Sequence, residues 1–321
     1  MALIERIGAK SGLGQASEAT YGVPVAPTAG TPFLSCTIDP DPGLFSPPAI
    51  MLVREKQVFP MHGQYKLAGA INGPLFPTNG IPYLVNAIGA DVVSGTVAPY
   101  THTISATDYL GSLTVEKNLG NYQSEQYAGV RVNKLQIKSD ATDTPVEFTA
   151  DVIAQSQAVL DVPNALSFVD ESPFVFAEAT IEWNGVQIGS VTKTLDLNLE
   201  NALAQSWTHG NSHDLQFLTP TARLVNGTLT VVFYSLDDAT YGFYTQMFDG
   251  LQAALSCTFT HPASGGSVQM TSPAVEFSKI ADDIKLNDIV IQTVSFEGFY
   301  DLATASPSIS AVVTNSQATA F

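Results

Sequence analysis

A chain of 321 residues can hold one large or two ordinary domains with a substantial core, and only 13% of these residues are charged, about half the usual share. Its 30 acidic residues against 13 basic ones, a formal net charge of −17, exclude a protein that grips phosphates through Lys and Arg. So thinly charged a surface is either one covered by neighbours or that of a monomer coated in Ser, Thr, Asn and Gln, which the chain also has in quantity.

No apolar run reaches membrane-spanning length, because the best, 81–93, is broken by Asn86 and Asp91. The start Met1-Ala-Leu-Ile-Glu-Arg6 lacks the basic-then-apolar pattern of a signal peptide. Cys36 and Cys257 are too few for a disulfide framework and read as reduced, buried thiols.

Residues 1–30 are rich in Gly, Ala, Ser, Thr and Pro and include Tyr21, Gly22 and Pro24. They read as an extended arm ordered only against something else. Its removal (residues 1–22) is expected to leave folded subunits that assemble poorly. A first short strand is predicted at 31–38. Residues 39–60 then form a long loop with five prolines, Arg54 and Lys56, interrupted by a strand at 50–53. Strand character resumes at 69–71. A short helix starts at Asn79-Gly80-Ile81-Pro82, with Pro82 in its first turn, and stops at Gly89. Strands follow at 100–104 and 111–116.

The clearest pattern lies at 127–154. Val146, Phe148, Ala150 and Val152 alternate with Glu147, Thr149 and Asp151, which is a half-buried strand. In the preceding arm Val130 and Val132 share one phase and Leu135 and Ile137 the other, which places a β-bulge near Asn133-Lys134. The polar turn between the arms carries Asp140 and Asp143 and is closed by Pro145.

Residues 155–172 read as a connector. Beyond it, 177–188 forms a hairpin about the Asn184-Gly185 turn, followed by a strand at 192–199, a loop at 201–220 and a strand at 222–233. A helix is predicted at 237–250 with Tyr244, Met247 and Phe248 on its buried side. Strands at 253–260, 267–277 and 289–300 complete the series, and residues 302–321 read as a second loose arm. Leu67-Ala-Gly69-Ala-Ile71, followed by a helix with Tyr83 and Gly89, is echoed by Val225-Asn-Gly227-Thr-Leu229, followed by a helix with Tyr244 and Gly250. The expected fold is mainly β, a sandwich or barrel with flanking short α-helices, duplicated in tandem. The divisions are an arm at 1–30, β domains at 31–162 and 163–301, and an arm at 302–321.

Chemistry is sparse. His209 and His213 are four apart, but Gly210, Asn211 and Ser212 between them argue for a polar loop over a helical metal pair. Gly12-Leu-Gly14 lacks the third glycine and the preceding strand of a dinucleotide fingerprint. There is no Gly-x-Ser-x-Gly elbow, phosphate-cradling loop or Cys-x-x-Cys. Asp237-Asp238 is read as the start of a helix and Asp282-Asp283 as a turn. Arg131, Lys134 and Lys138 put three cations on one strand, either as a solvated edge or as a stripe that docks on an acidic neighbour. No catalytic residue, cofactor or metal site is assigned.

Four stretches together resemble tail tube proteins of long-tailed, non-contractile bacteriophages. They are 14–24, the Gly69-Ala-Ile strand with the helix ending at Ile88-Gly89, the strand at 127–135, and the closing strand at 288–301. The resemblance implies a β-sandwich or barrel whose inner strands join across subunits into a β-lined channel, with rings stacked through loops and arms. It implies a negative lumen through which DNA slides, consistent with the acidic composition. Implied partners are the chain itself and the tape measure protein and double-stranded DNA in the lumen; the internal repeat adds the expectation of rings of three with pseudo-sixfold symmetry, against rings of six if half of the chain is decoration. Tail terminator and tip proteins complete the set, with no membrane. The protein would be made in the host cytoplasm and reside in the virion tail. Candidate assembly residues are Tyr21, Gly22, Pro24, Arg54, Lys56, Gly129, Arg131, Lys134, Lys138, Asp140 and Asp143. The alternatives are another β-rich assembly protein (capsid decoration, pilus-like subunit or adhesin) and a carbohydrate-active enzyme, which would need a carboxylate pair converging in a cleft.

Overall fold

A computed structural model describes residues 7–47, 60–210, 213–262, 264–286 and 288–321. Arg54, Lys56 and the strand expected at 50–53 lie outside them. The chain begins with β1 (Gly12–Glu18), β2 (Ala29–Gly30), β3 (Ser35–Cys36) and β4 (Asp39–Asp41), then the small hairpin β5 (Leu44–Phe45) and β6 (Met61–His62). It continues through β7 (Lys66–Pro74), α1 (Ile81–Ile88), β8 (Gly89–Ser94), β9 (Tyr100–Ala106) and β10 (Ser112–Leu119). The long hairpin of β11 (Gln123–Asp140) and β12 (Glu147–Ala154) runs on into β13 (Ser156–Leu160).

Beyond the connector come β14 (Ala179–Trp183) and β15 (Val186–Gln187), joined by Asn184-Gly185 with both residues at positive φ, as the sequence requires of that turn. They are followed by β16 (Thr192–Glu200), the hairpin β17 (Leu203–Ser206) and β18 (Phe217–Pro220), and β19 (Leu224–Val232). The chain ends with α2 (Phe243–Phe248), β20 (Ala253–Thr260), β21 (Ser267–Asp283), β22 (Ile291–Phe299) and β23 (Ser310–Asn315).

All the pairings are antiparallel between named strands, and they generate one sheet that runs through the molecule in the order β4–β7–β12–β11–β16–β19–β22–β21. The bulge expected at Asn133 is present, with the β11–β12 register shifting between Val132 and Lys134. A second bulge shifts β21–β22 between Phe277 and Lys279. The order β7–β12–β11–β10 recurs as β19–β22–β21–β20. Gly69 and Gly227 are needed for close approach: a Cβ on either would lie 2.2 or 2.1 Å from a carbonyl oxygen of the neighbouring segment, that of Thr37 between β3 and β4 or of Asp196 in β16.

The core lies on one side of this sheet. Ile71, Phe148, Val152, Ile137, Leu195, Leu229, Val294 and Phe296 are buried there with α1, of which every residue is buried. Gly80 at φ 86 precedes that helix, Pro82 sits in its first turn, and the Gly89 N–H closes on Val85 O.

Several expectations are corrected. Residues 12–18 are no free arm: β1 pairs with β10 along its whole length and buries Leu13. The C-terminal stretch likewise contains β23, which pairs with β9 on one side and β21 on the other. The loop at 201–220 contains β17 and β18, β8 and β13 add strands where none was expected, and of the strand expected at 31–38 only β3 (Ser35–Cys36) forms. The second helix occupies only Phe243–Phe248, and Asp282-Asp283 close β21 rather than forming a turn. Cys257 is buried, its thiol pKa raised by burial, whereas Cys36 is only half-buried.

Candidate assembly interface

Tyr21, Gly22, Gly129 and Arg131 converge on a residue the sequence reading passed over, Glu18 at the end of β1. Its carboxylate accepts the N–H of Gly22 (2.9 Å) and of Gly129 (2.9 Å), and the hydroxyls of Ser112 (2.6 Å) and Thr114 (2.8 Å). Gly129 has φ +65, and its missing Cβ leaves room for Gln155 and Tyr21. The Arg131 guanidinium lies over the Tyr21 ring at 4.5 Å, donates from Nε to Gly111 O at 3.2 Å, and donates from Nη1 to Leu218 O. Burial pushes the Tyr21 hydroxyl up to about 12; Arg131 opposes the shift and Glu18 adds to it. Burial also lowers the Arg131 pKa. This cluster ties β1 and β11 to one another and to the β17–β18 hairpin. Pro24 stands exposed beyond it, and Asp143 is exposed in the β11–β12 turn.

Lys134 and Lys138 do face acids, but within the chain. In the ladder Lys134 lies opposite Asp151 and Glu200, and Lys138 opposite Glu147 and Asp196. Asp140 lies opposite Thr194. Because side chains alternate across a strand, these residues share the face opposite the core. That face carries the cross-strand row Asn72, Thr149, Gln136, Asn198, Asn226 and Glu297. The row is tied together by Asn72 Nδ2 to Thr149 Oγ1 (2.9 Å) and by Gln136 Nε2 and Asn198 Nδ2 to Asp196 (2.7 and 2.8 Å). An open groove of about 980 Å³, lined by Asp196, Asn198, Asn226 and Glu297, lies on this face.

The contact between β11 and β16 joins the two halves. Asn201 N donates to Asn133 O and Ala141 N to Lys193 O, each at 2.8 Å, so the ladder is hydrogen-bonded from end to end. Asn201 Nδ2 reaches Ala87 O (2.9 Å) and Val132 O (3.1 Å), and Arg223 Nη2 reaches Ile88 O (3.1 Å) and Thr107 O (2.7 Å). The second half thereby caps the C-terminal carbonyls of α1. The β17–β18 hairpin buries Leu203, Leu215 and Leu218 against Leu110 and Ile153 of the first half. No sequence motif marks Asn201 or Arg223, since capping carbonyls demands only a donor at the right place.

His213 stacks on Tyr65 at 5.0 Å, with Nδ1 2.7 Å from Gly63 O, in a loop rather than on a helix. Among the described residues no group of three or more His, Cys, Asp and Glu side chains could hold a metal ion, and no helix is long and apolar enough to cross a membrane.

A long antiparallel sheet with a polar face, a core on the other side and, among the described residues, no second partner strand for β4 or for residues 278–283 of β21 is the build of a structural protein rather than of a catalytic cleft. The chain belongs to the phage tail tube protein family, whose model matches residues 8–298. It is a structural component of the phage tail, of a kind that self-assembles into the tube, and not an enzyme. No curated protein matches the chain significantly.

Proposed function

We propose that three copies of this chain close one ring of the tube of a long, non-contractile tail. Each copy supplies two tandem units, residues 31–162 and 163–301. The observation that carries this reading is the β11–β16 junction, a continuous antiparallel ladder between the halves. Further support comes from the repeated pairing order, the bulges after Val132 and Phe277, and the two glycines pressed against a neighbouring carbonyl. At the ends of the sheet, β4 and residues 278–283 of β21 have no further partner strand among the described residues. Such edges can each take a strand from another chain.

In this reading the polar sheet face lines the lumen. Its carboxylates Glu147, Asp151, Asp196, Glu200 and Glu297 share that face with Lys134, Lys138 and Lys279. An acidic excess there repels DNA phosphates, so the genome passes without adhering. The tape measure protein fills the same channel before ejection, and terminator and tip proteins meet the ends of the tube. Subunits are made in the host cytoplasm and reside in the virion tail. Electron cryo-microscopy of tubes assembled from the purified chain tests the stoichiometry. Three chains per ring, each giving two similar lobes, is the expected result, and six chains per ring would refute it.

A further inference from the structure

The two halves leave one contact fulfilled and its counterpart open. Residues 201–223 leave β16, form the β17–β18 hairpin and return to β19, and on the way they cap α1 and bury Leu203 on the first half. Residues 42–65, a segment of nearly equal length, leave β4, carry the β5–β6 hairpin and return to β7. Leu44 follows β4 at the same interval as Leu203 follows β16, yet Leu44 and Phe45 are 61% and 49% exposed, and Met61 opposite them is 49% exposed. Among the described residues they join no buried apolar cluster, whereas Leu203 packs with Leu110 and Ile153.

The surface they lack is present at the other end of the chain. α1 is buried throughout, and its last carbonyls are capped by Asn201 and Arg223. At α2, the Tyr244 and Phe248 rings pack at a tilt with centroids 4.8 Å apart and stand 42% and 68% exposed. The adjoining sheet edges match in charge. Within the chain Lys134, just past the β11 bulge, lies opposite Glu200 at the end of β16. Lys279 stands just past the β21 bulge, and Asp41 ends β4.

We propose that the β5–β6 hairpin of one copy seats on the Tyr244–Phe248 end of α2 in a second copy, repeating between chains the contact that β17–β18 makes within one. The occupant is a second copy because the same chain supplies both the apolar hairpin and the uncovered helix end, together with the two open sheet edges that flank them. This deepens the three-copy ring reading and rests on it.

The test uses two variants on a Cys36→Ser background, Phe45→Cys and Phe248→Cys, mixed as separate chains of different mass. A short bismaleimide is added before and after assembly. The expected result is a covalent dimer of one chain of each kind, at least about tenfold more abundant after assembly, because the seated contact raises the effective concentration of the pair. Phe45→Asp and Phe248→Asp, both at exposed positions, should each keep the circular dichroism of the parent chain and lose rings in electron micrographs. Rings that form without the mixed dimer, or that form normally from both Asp variants, would overturn the hairpin's placement and leave the ring reading standing. A parent chain that forms no rings at any concentration would overturn both.

Discussion

At the scale of single residues the molecule depends on groups whose importance comes from what they leave room for. Gly129 is the sharpest case, because an added Cβ would stand 2.7 Å from Gln155 Cβ and 3.2 Å from the Tyr21 ring, on a backbone at φ +65. Gly129→Ala therefore combines a strained conformation with overpacking and should cost about 2–4 kcal/mol, read from the shift of the urea midpoint. Tyr21 behaves oppositely. Its buried hydroxyl has no hydrogen-bond partner among the described residues, so Tyr21→Phe should be neutral or slightly stabilising at pH 7. The Tyr21 pKa is raised from 10.0 to about 12 in the folded state, so the folded chain holds that proton more tightly than the unfolded one. The resulting stability is fully present below pH 10 and is lost as pH rises from 10 towards 12. Thermal melts across that window should fall less steeply for Tyr21→Phe than for the parent; parallel curves would remove Tyr21 as a source of alkaline sensitivity.

At the scale of elements, α2 shows why the chain's helices were harder to read than its strands. Asp237 and Asp238 looked like the start of a helix. Instead the Asp238 carboxylate accepts the N–H groups of Thr240 and Tyr241, each at 2.8 Å, and these bonds hold its pKa below the usual carboxylate value. The acids thus stabilise a turn, and the helix begins only at Phe243. Its inward face follows from that late start: Phe243 and Gln246 are buried, while Tyr244 and Phe248, expected inside, point out. Met247 packs partly against the core, as expected. Gln246 accepts the Trp183 Nε1–H at 2.8 Å and donates to Ala239 O at 3.0 Å, linking β14 to the turn. A polar residue inside a predicted apolar face carries no signal in its spacing; only the fold reveals its partner. Gln246→Leu would leave the indole N–H unsatisfied and free the turn, at a cost of about 1–3 kcal/mol. A shift of the tryptophan emission in the folded protein should accompany the loss, and unchanged emission and stability would show that water replaces the amide.

For the whole molecule, the lesson is where alternation fails. The hairpin at 127–154 and the strands from 192 to 299 were legible because one face is apolar and the other wet. β1 is covered on both faces, with Gly12 to Gln15 all buried, so its small residues show no period and looked like a loose arm. Yet it contributes Leu13 and the Glu18 carboxylate to the interior. Deleting residues 1–22 should therefore unfold the first half rather than yield folded, assembly-defective subunits, and far-UV circular dichroism of the truncated chain distinguishes the two.

The C-terminal strand is a stronger case, because it holds the two halves together away from the central ladder. β23 inserts between β9 of the first half and β21 of the second and buries Ala311 and Val313, with Ile309 buried just before it. Beyond it the chain is anchored at His102, whose side chain is fully buried. Its Nδ1 lies 2.9 Å from Asp91 Oδ2, and its Nε2 lies 3.1 Å from Asn315 Oδ1 and 3.0 Å from Gln317 O. The Phe321 N–H donates to the same Asp91 carboxylate at 3.0 Å, and its ring packs over His102 at 4.7 Å. Truncation after Leu302 removes these apolar side chains and leaves His102 and Asp91 without partners from the tail. At about 25 cal/mol per Å² the lost burial alone is on the order of 5 kcal/mol, comparable with the whole stability of many domains. His102→Ala is the milder probe and keeps the strand. It should raise amide exchange in residues 310–321 while leaving β11 and β16 protected, because the central ladder does not depend on the tail. Exchange that rose equally in both regions would mean the halves unfold as one unit and that the tail is no separate clasp.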